Sequence, residues 1–105
     1  MKKAERAAET EAMFRDVNET VVEHSDPADA VPDILCECSN DACAESIAVS
    51  RAEYDRVRSD ATHFIVLPEH VSAGIEVVVE KHREYWVIEK IGVAAEIAEE
   101  TDPRA

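Results

Sequence analysis

The sequence predicts an α+β fold: an N-terminal amphipathic helix, a second short helix and a small, mainly antiparallel sheet that includes a C-terminal hairpin. Three features predict it. Residues 4–24 hold no Gly or Pro and are rich in Ala and Glu, which favours helix. Short apolar-alternating or β-branched runs follow at 34–38, 45–49, 63–67, 75–81 and 85–91, each of strand length. The two glycines, Gly74 and Gly92, open and close the last pair of runs.

In the first helix Phe14, Val17 and Val21 recur at helical spacing, with Met13 and Val22 widening the stripe, so this face is expected to be buried. Glu11 precedes Arg15 by four residues on what reads as the solvated face, an ion pair worth about 0.2–0.5 kcal/mol. Asp26-Pro27 and Val31-Pro32 push the backbone out of the α region, ending the helix near Ser25 and making residues 25–33 a connector. Ile34 to Cys38 and Glu45 to Val49 are predicted strands, joined by the turn chemistry of Ser39-Asn40-Asp41-Ala42. Ser50 and Glu53 fit a capping box that starts a helix from Arg51 to about Asp60, with Tyr54 and Val57 facing the core. His63 to Leu67 is a strand that Pro68 ends, and Ile75 to Lys81 pairs with Tyr85 to Ile91 as a hairpin. The inward positions of that hairpin are expected to be Ile75, Val77, Val79, Trp86 and Ile88. Val93 to Glu100 reads as a short helix, and the tail from Thr101 to Ala105 has nothing to bury.

With 105 residues, the expectation is a single small domain over 1–100, with 1–3 and 101–105 as flexible ends. Apolar residues at 46% can supply a core, and 33% charged residues a solvated surface. The 24 acidic residues outnumber the 11 basic ones and set the net charge at -13, which would repel phosphate backbones and anionic lipid. Neither a membrane-length apolar run nor a signal-peptide core is visible, so the expected compartment is the cytoplasm.

The three cysteines fall within eight residues, Cys36-Glu37-Cys38-Ser39-Asn40-Asp41-Ala42-Cys43. An odd number in an expected cytoplasmic setting argues against a disulfide framework. Residues i and i+2 of an extended segment point the same way, so Cys36 and Cys38 present two sulfurs together, and a turn at 39–42 can return Cys43 to them. Three corners of a tetrahedron are then local, and imidazole is the common fourth ligand of a structural zinc. From Asp16 to Ser50 there is no Lys or Arg but there are nine acidic residues, so nothing nearby would stabilise a bare thiolate. A divalent cation would supply that charge and deprotonate the thiols. The competing readings are inert thiols packed as small hydrophobes and thiols engaged in redox chemistry.

Four histidines compete for the fourth position. His24 at the helix end reads as a cap, His82 in the hairpin turn as solvated, and His63 at a strand start as able to point either way. His70 follows Pro68-Glu69 in a loop, where a ligand can be oriented without breaking a ladder, and it is preferred over His63. The expected metal ligands are therefore Cys36, Cys38, Cys43 and His70.

The chain resembles a family of small bacterial proteins that has no established activity. The likeness lies in Met13 to Glu19, Cys36-Glu37-Cys38 with Cys43 and Glu45 to Ile47, Glu53 to Arg58, Phe64 to His70, Val87 to Lys90 and Thr101 to Arg104. It implies a shared fold and a histidine at the place of His70. Where similar members carry Gly before that histidine, Glu69 stands here.

Several chemistries have no footprint. No Gly-rich phosphate loop, H-E-x-x-H or G-x-S-x-G motif occurs, and the serines lack a histidine in any nucleophile pattern. Tyr85-Trp86 reads as hairpin core, and Arg51, Arg56 and Arg58, interspersed with acids, as a mixed helix face. The sequence thus points to a small acidic cytoplasmic domain with a structural zinc, acting on an unknown protein partner as an interaction or regulatory module. The alternatives are a redox or metal-dependent enzyme using the same cysteines, or a metal-free acidic interaction domain.

Overall fold

The computed structural model describes residues 2–24, 33–40, 43 and 45–104, with side chains from Glu5 onward. The predicted connector at 25–33 falls, except for Asp33, outside the described residues, as do positions 41 and 42 of the predicted turn. The elements run α1 (Lys2–Glu23), β1 (Asp33–Leu35), β2 (Ser46–Ala48), α2 (Arg51–Arg58), β3 (His63–Val66), β4 (Glu76–Lys81), β5 (Trp86–Lys90) and α3 (Gly92–Glu100). β1 and β2 form an antiparallel pair, and β3, β5 and β4 a three-stranded antiparallel sheet in that order. This is the α+β class that the sequence predicts. No described helix is long and apolar enough to cross a membrane.

Local signals explain several elements. The Ser50 hydroxyl accepts from the Glu53 amide at 3.1 Å and starts α2, which turns Tyr54 and Val57 into the core. The other half of the expected box is spent elsewhere: the Glu53 carboxylate accepts from the Tyr85 hydroxyl at 2.5 Å and from Arg56. The two sheets are joined by the Glu37 amide, which donates to the Ile65 carbonyl at 2.9 Å. The core gathers Val22, Ile34, Ile47, Val49, Tyr54, Val57, Phe64 to Val66, Val87 and Ile88.

The face that α1 buries is only in part the expected one, with Val22 buried and Phe14 half-buried. Met13, Val17 and Val21 are 55, 43 and 40% exposed, while Ala8, Glu11, Ala12, Arg15, Asn18 and Val22 are buried. The spacing is still helical, but polar groups occupy it because the partner surface offers bare backbone and charge. The Asn18 side-chain amide accepts from the Leu35 N–H at 2.7 Å and donates to its carbonyl at 2.8 Å, filling the edge of β1 as a neighbouring strand would. The Arg15 guanidinium donates to the carbonyls of Ala61 and Ala98, the latter in the last turn of α3, and lies 4.4 Å from the Phe64 ring centroid. Glu11 does not pair with Arg15; its carboxyl meets the Lys90 ammonium, which also contacts Glu76, and the side chains of Glu11 and Lys90 are fully buried.

That cluster also resets the hairpin. Glu76 lies opposite Lys90 and turns inward, so Val77 and Val79 face outward at 44 and 42% exposure, against expectation. An irregularity between Val78 and Glu80 then restores pairing with Val87 and Trp86. Trp86 is half-buried and Ile88 fully buried, as expected of them. Arg58 departs from the mixed-face reading: it is buried and held by Glu19 at 2.9 Å and by Asp102. The tail is therefore tied rather than idle, with Asp102 on Arg58 and Arg104 reaching Glu19 and Asp55, each at 2.8 Å.

Candidate metal centre

Cys36 follows β1, and its amide continues the ladder by donating to the Glu45 carbonyl at 2.9 Å, which fixes its side chain on one side of the extended segment. Cys38 lies two residues on and points the same way, as the period of two requires. The Cys43 amide donates to the Asn40 carbonyl at 3.0 Å, closing a turn that returns the third sulfur. His70 comes from the β3–β4 loop, where its amide donates to the Leu67 carbonyl at 3.0 Å. Pro68 and Glu69 are the central residues of that turn, and Glu69 has φ 70°, the left-handed value a type II turn demands at its third position. Glycine adopts this conformation without strain, whereas Glu69 adopts it at a cost.

The four side chains meet. One ligand atom each from Cys36, Cys38, Cys43 and His70 lies within 4.8 Å of the others, and the group could hold a metal ion. His70 Nδ1 is 3.5 Å from Cys36 Sγ and 3.8 Å from Cys43 Sγ. A tetrahedron with Zn–S of about 2.3 Å and Zn–N of about 2.05 Å has an S···N edge of about 3.6 Å. The two S···N distances around His70 lie close to that edge. Cys36 and Cys38 are buried, whereas Cys43 and His70 are half-buried.

Burial pushes the Cys36 and Cys38 thiols well above the ordinary cysteine range, and the Leu67 N–H, which donates to Cys36 Sγ at 3.2 Å, offsets this only in part. Without a metal these two sulfurs hold their protons at neutral pH, which is the opposite of an activated nucleophile. One acid in the cysteine segment faces away from the sulfurs. Glu37, between two cysteines, turns the other way into the core, fully buried, where it accepts from Asn18, the Ile65 amide and the Tyr54 hydroxyl. Burial raises its pKa against the pull of these hydrogen bonds and of Arg58 and Arg15. The strand alternation that aligns Cys36 with Cys38 is also the signal that Glu37 points inward.

The other histidines are engaged elsewhere. His63 Nε2 faces Glu89 at 3.4 Å and Asp60 at 3.5 Å, a surface trio without a thiol. His24 Nδ1 is 2.9 Å from the Thr20 carbonyl at the end of α1, the capping position expected of it. His82 sits against Glu80 at 2.7 Å and stacks on Tyr85. Beside the cysteine cluster, a solvent-open depression of about 220 Å³ lies between residues 38–40 and 69–72. Sequence reasoning missed two features here: the Leu67 amide, which carries no side-chain signal, and the contact of the Ser39 and Ser72 hydroxyls across the depression. No protein-family model, no curated protein and no solved structure matches the chain.

Proposed function

We propose that this chain is a zinc-stabilised protein-interaction module of the cytoplasm, in which Cys36, Cys38, Cys43 and His70 hold one structural Zn2+. The observation that carries the reading is the S···N spacing of 3.5 and 3.8 Å around His70 Nδ1, which matches the edge of a zinc tetrahedron. Zinc is the ion that three thiolates and one imidazole select, being borderline-soft and content with four-coordination. Four protein ligands leave no position for water or substrate, so the ion's role is to fasten the segment after β1 to the loop after β3. In small zinc domains the ion supplies about 10–16 kcal/mol of apparent binding free energy at pH 7, comparable to the stability of a whole domain.

A redox reading of the same thiols has less support, because Cys36 and Cys38 are buried with raised pKa values and no Lys or Arg lines the depression beside Cys38. The test is elemental analysis of protein purified without chelator, combined with thermal melting in EDTA. The reading expects one zinc per chain and a melting temperature lowered by EDTA. Substoichiometric zinc with an unchanged melting temperature would overturn it.

A further inference from the structure

Resting on that filled zinc site, we propose that the depression beside it docks a cationic side chain, the lysine or arginine of a basic protein segment. Charge comes first. One Zn2+ with three thiolates and a neutral imidazole carries a net charge of about -1, since each coordinated cysteine is deprotonated. Cys38 and His70 both line the depression, so that charge borders it directly. Glu69 adds a carboxylate on the exposed side, and no Lys or Arg lines the depression among the described residues. The sequence from Asp16 to Ser50 contains no Lys or Arg.

Shape and hydrogen bonding agree with charge. About 220 Å³ falls below the usual range of a small-molecule cleft but suits one long side chain. Val71 offers an apolar wall for the methylene stem of such a residue. The Ser39 and Ser72 hydroxyls bond to one another across the opening, and each keeps lone-pair capacity to accept from an ammonium or guanidinium. The Ser72 amide is already committed to Glu76 at 2.9 Å, so it does not offer a donor to an anion. A carboxylate or phosphate would meet the negative charge of the metal centre and of Glu69, which a cation complements.

The experiment titrates the zinc-loaded full chain, labelled with 15N, with acetyl-Gly-Arg-Gly-amide, its Lys counterpart and a citrulline peptide, which keeps the arginine shape without the charge. Saturable shifts of the Ser39, Val71 and Ser72 amides are expected for Arg or Lys and not for citrulline. Glu69→Gln should weaken binding about three- to fivefold, the size of one exposed ion pair, while Glu99→Gln on α3 leaves it unchanged. Equal shifts from the citrulline peptide, or equal affinity in Glu69→Gln, would overturn the proposal. Zinc is counted in the same samples: zinc present with no peptide response overturns the docking and leaves the metal reading standing, and absent zinc overturns both.

Discussion

His70 Nδ1 lies 3.5 Å from Cys36 Sγ, although 34 residues separate the two in the chain, while His63, seven residues before His70, turns its ring to Glu89 and Asp60. The two histidines should therefore respond differently to removal. In His70→Ala, zinc affinity measured by chelator competition should fall by more than the ~10–100-fold that loss of an outer-shell partner costs. In His63→Ala it should stay within about threefold of the parent, because only exposed ion pairs are lost. The reverse ranking would move the fourth ligand to another residue.

Glu11 and Lys90 form a buried pair beneath the sheet, with Glu76 on the same ammonium. Burial, with hydrogen bonding to Glu76, raises the Glu11 pKa to about 9 against the opposing pull of Lys90, so Glu11 is protonated at neutral pH. Between 4.5 and about 9 the folded state holds a proton that the unfolded chain has released. This contribution is complete below 4.5 and is lost as pH rises through about 9. Urea unfolding of the zinc-loaded protein should show that decline, and Glu11→Gln should flatten it while costing about 1 kcal/mol or less, since the amide replaces a neutral carboxyl. Lys90→Met should cost about 3–5 kcal/mol, because the buried Glu11 and Glu76 carboxyl groups lose the partner they share. A pH slope unchanged in Glu11→Gln would place the proton elsewhere.

Features fixed by local spacing were legible in the sequence: the Ser50 cap, the hairpin and the alternation of Cys36 and Cys38. The buried face of α1 was not, because it is chosen by groups far away in the chain. Asn18 is inward because β1 has bare backbone to satisfy, and Glu76 because Lys90 lies opposite it, and neither partner is visible from the periodicity of its own element. Measured stabilities should follow the structure: Val17→Ser should stay within about 0.5 kcal/mol of the parent, as exposed substitutions do. Asn18→Ala should cost about 2–3 kcal/mol, leaving the Leu35 backbone and Glu37 short of partners. The opposite order in chemical denaturation would restore the apolar stripe as the buried face.

Glu69 occupies a left-handed conformation between Pro68 and His70, one that glycine adopts without strain. Such a residue stores about 1–2 kcal/mol of backbone strain, part of which glycine gives back through its freer unfolded state. Glu69→Gly should therefore stabilise the protein by about 0.5–1 kcal/mol, or raise the melting temperature by about 4 °C, with zinc stoichiometry unchanged. A destabilised variant would mean that the Glu69 side chain contributes more than its backbone costs.

Cobalt substitution tests the metal centre most directly, because the absorption of Co2+ reports both ligand type and geometry. One equivalent added to the metal-free chain should give thiolate-to-metal charge-transfer bands and the intense visible bands of a tetrahedral ion, saturating at one per chain. Zinc should displace them, since it binds such sites more tightly. A spectrum that stays that of weakly absorbing aqueous cobalt, through one equivalent and beyond, would contradict the assignment of Cys36, Cys38, Cys43 and His70 as a metal centre.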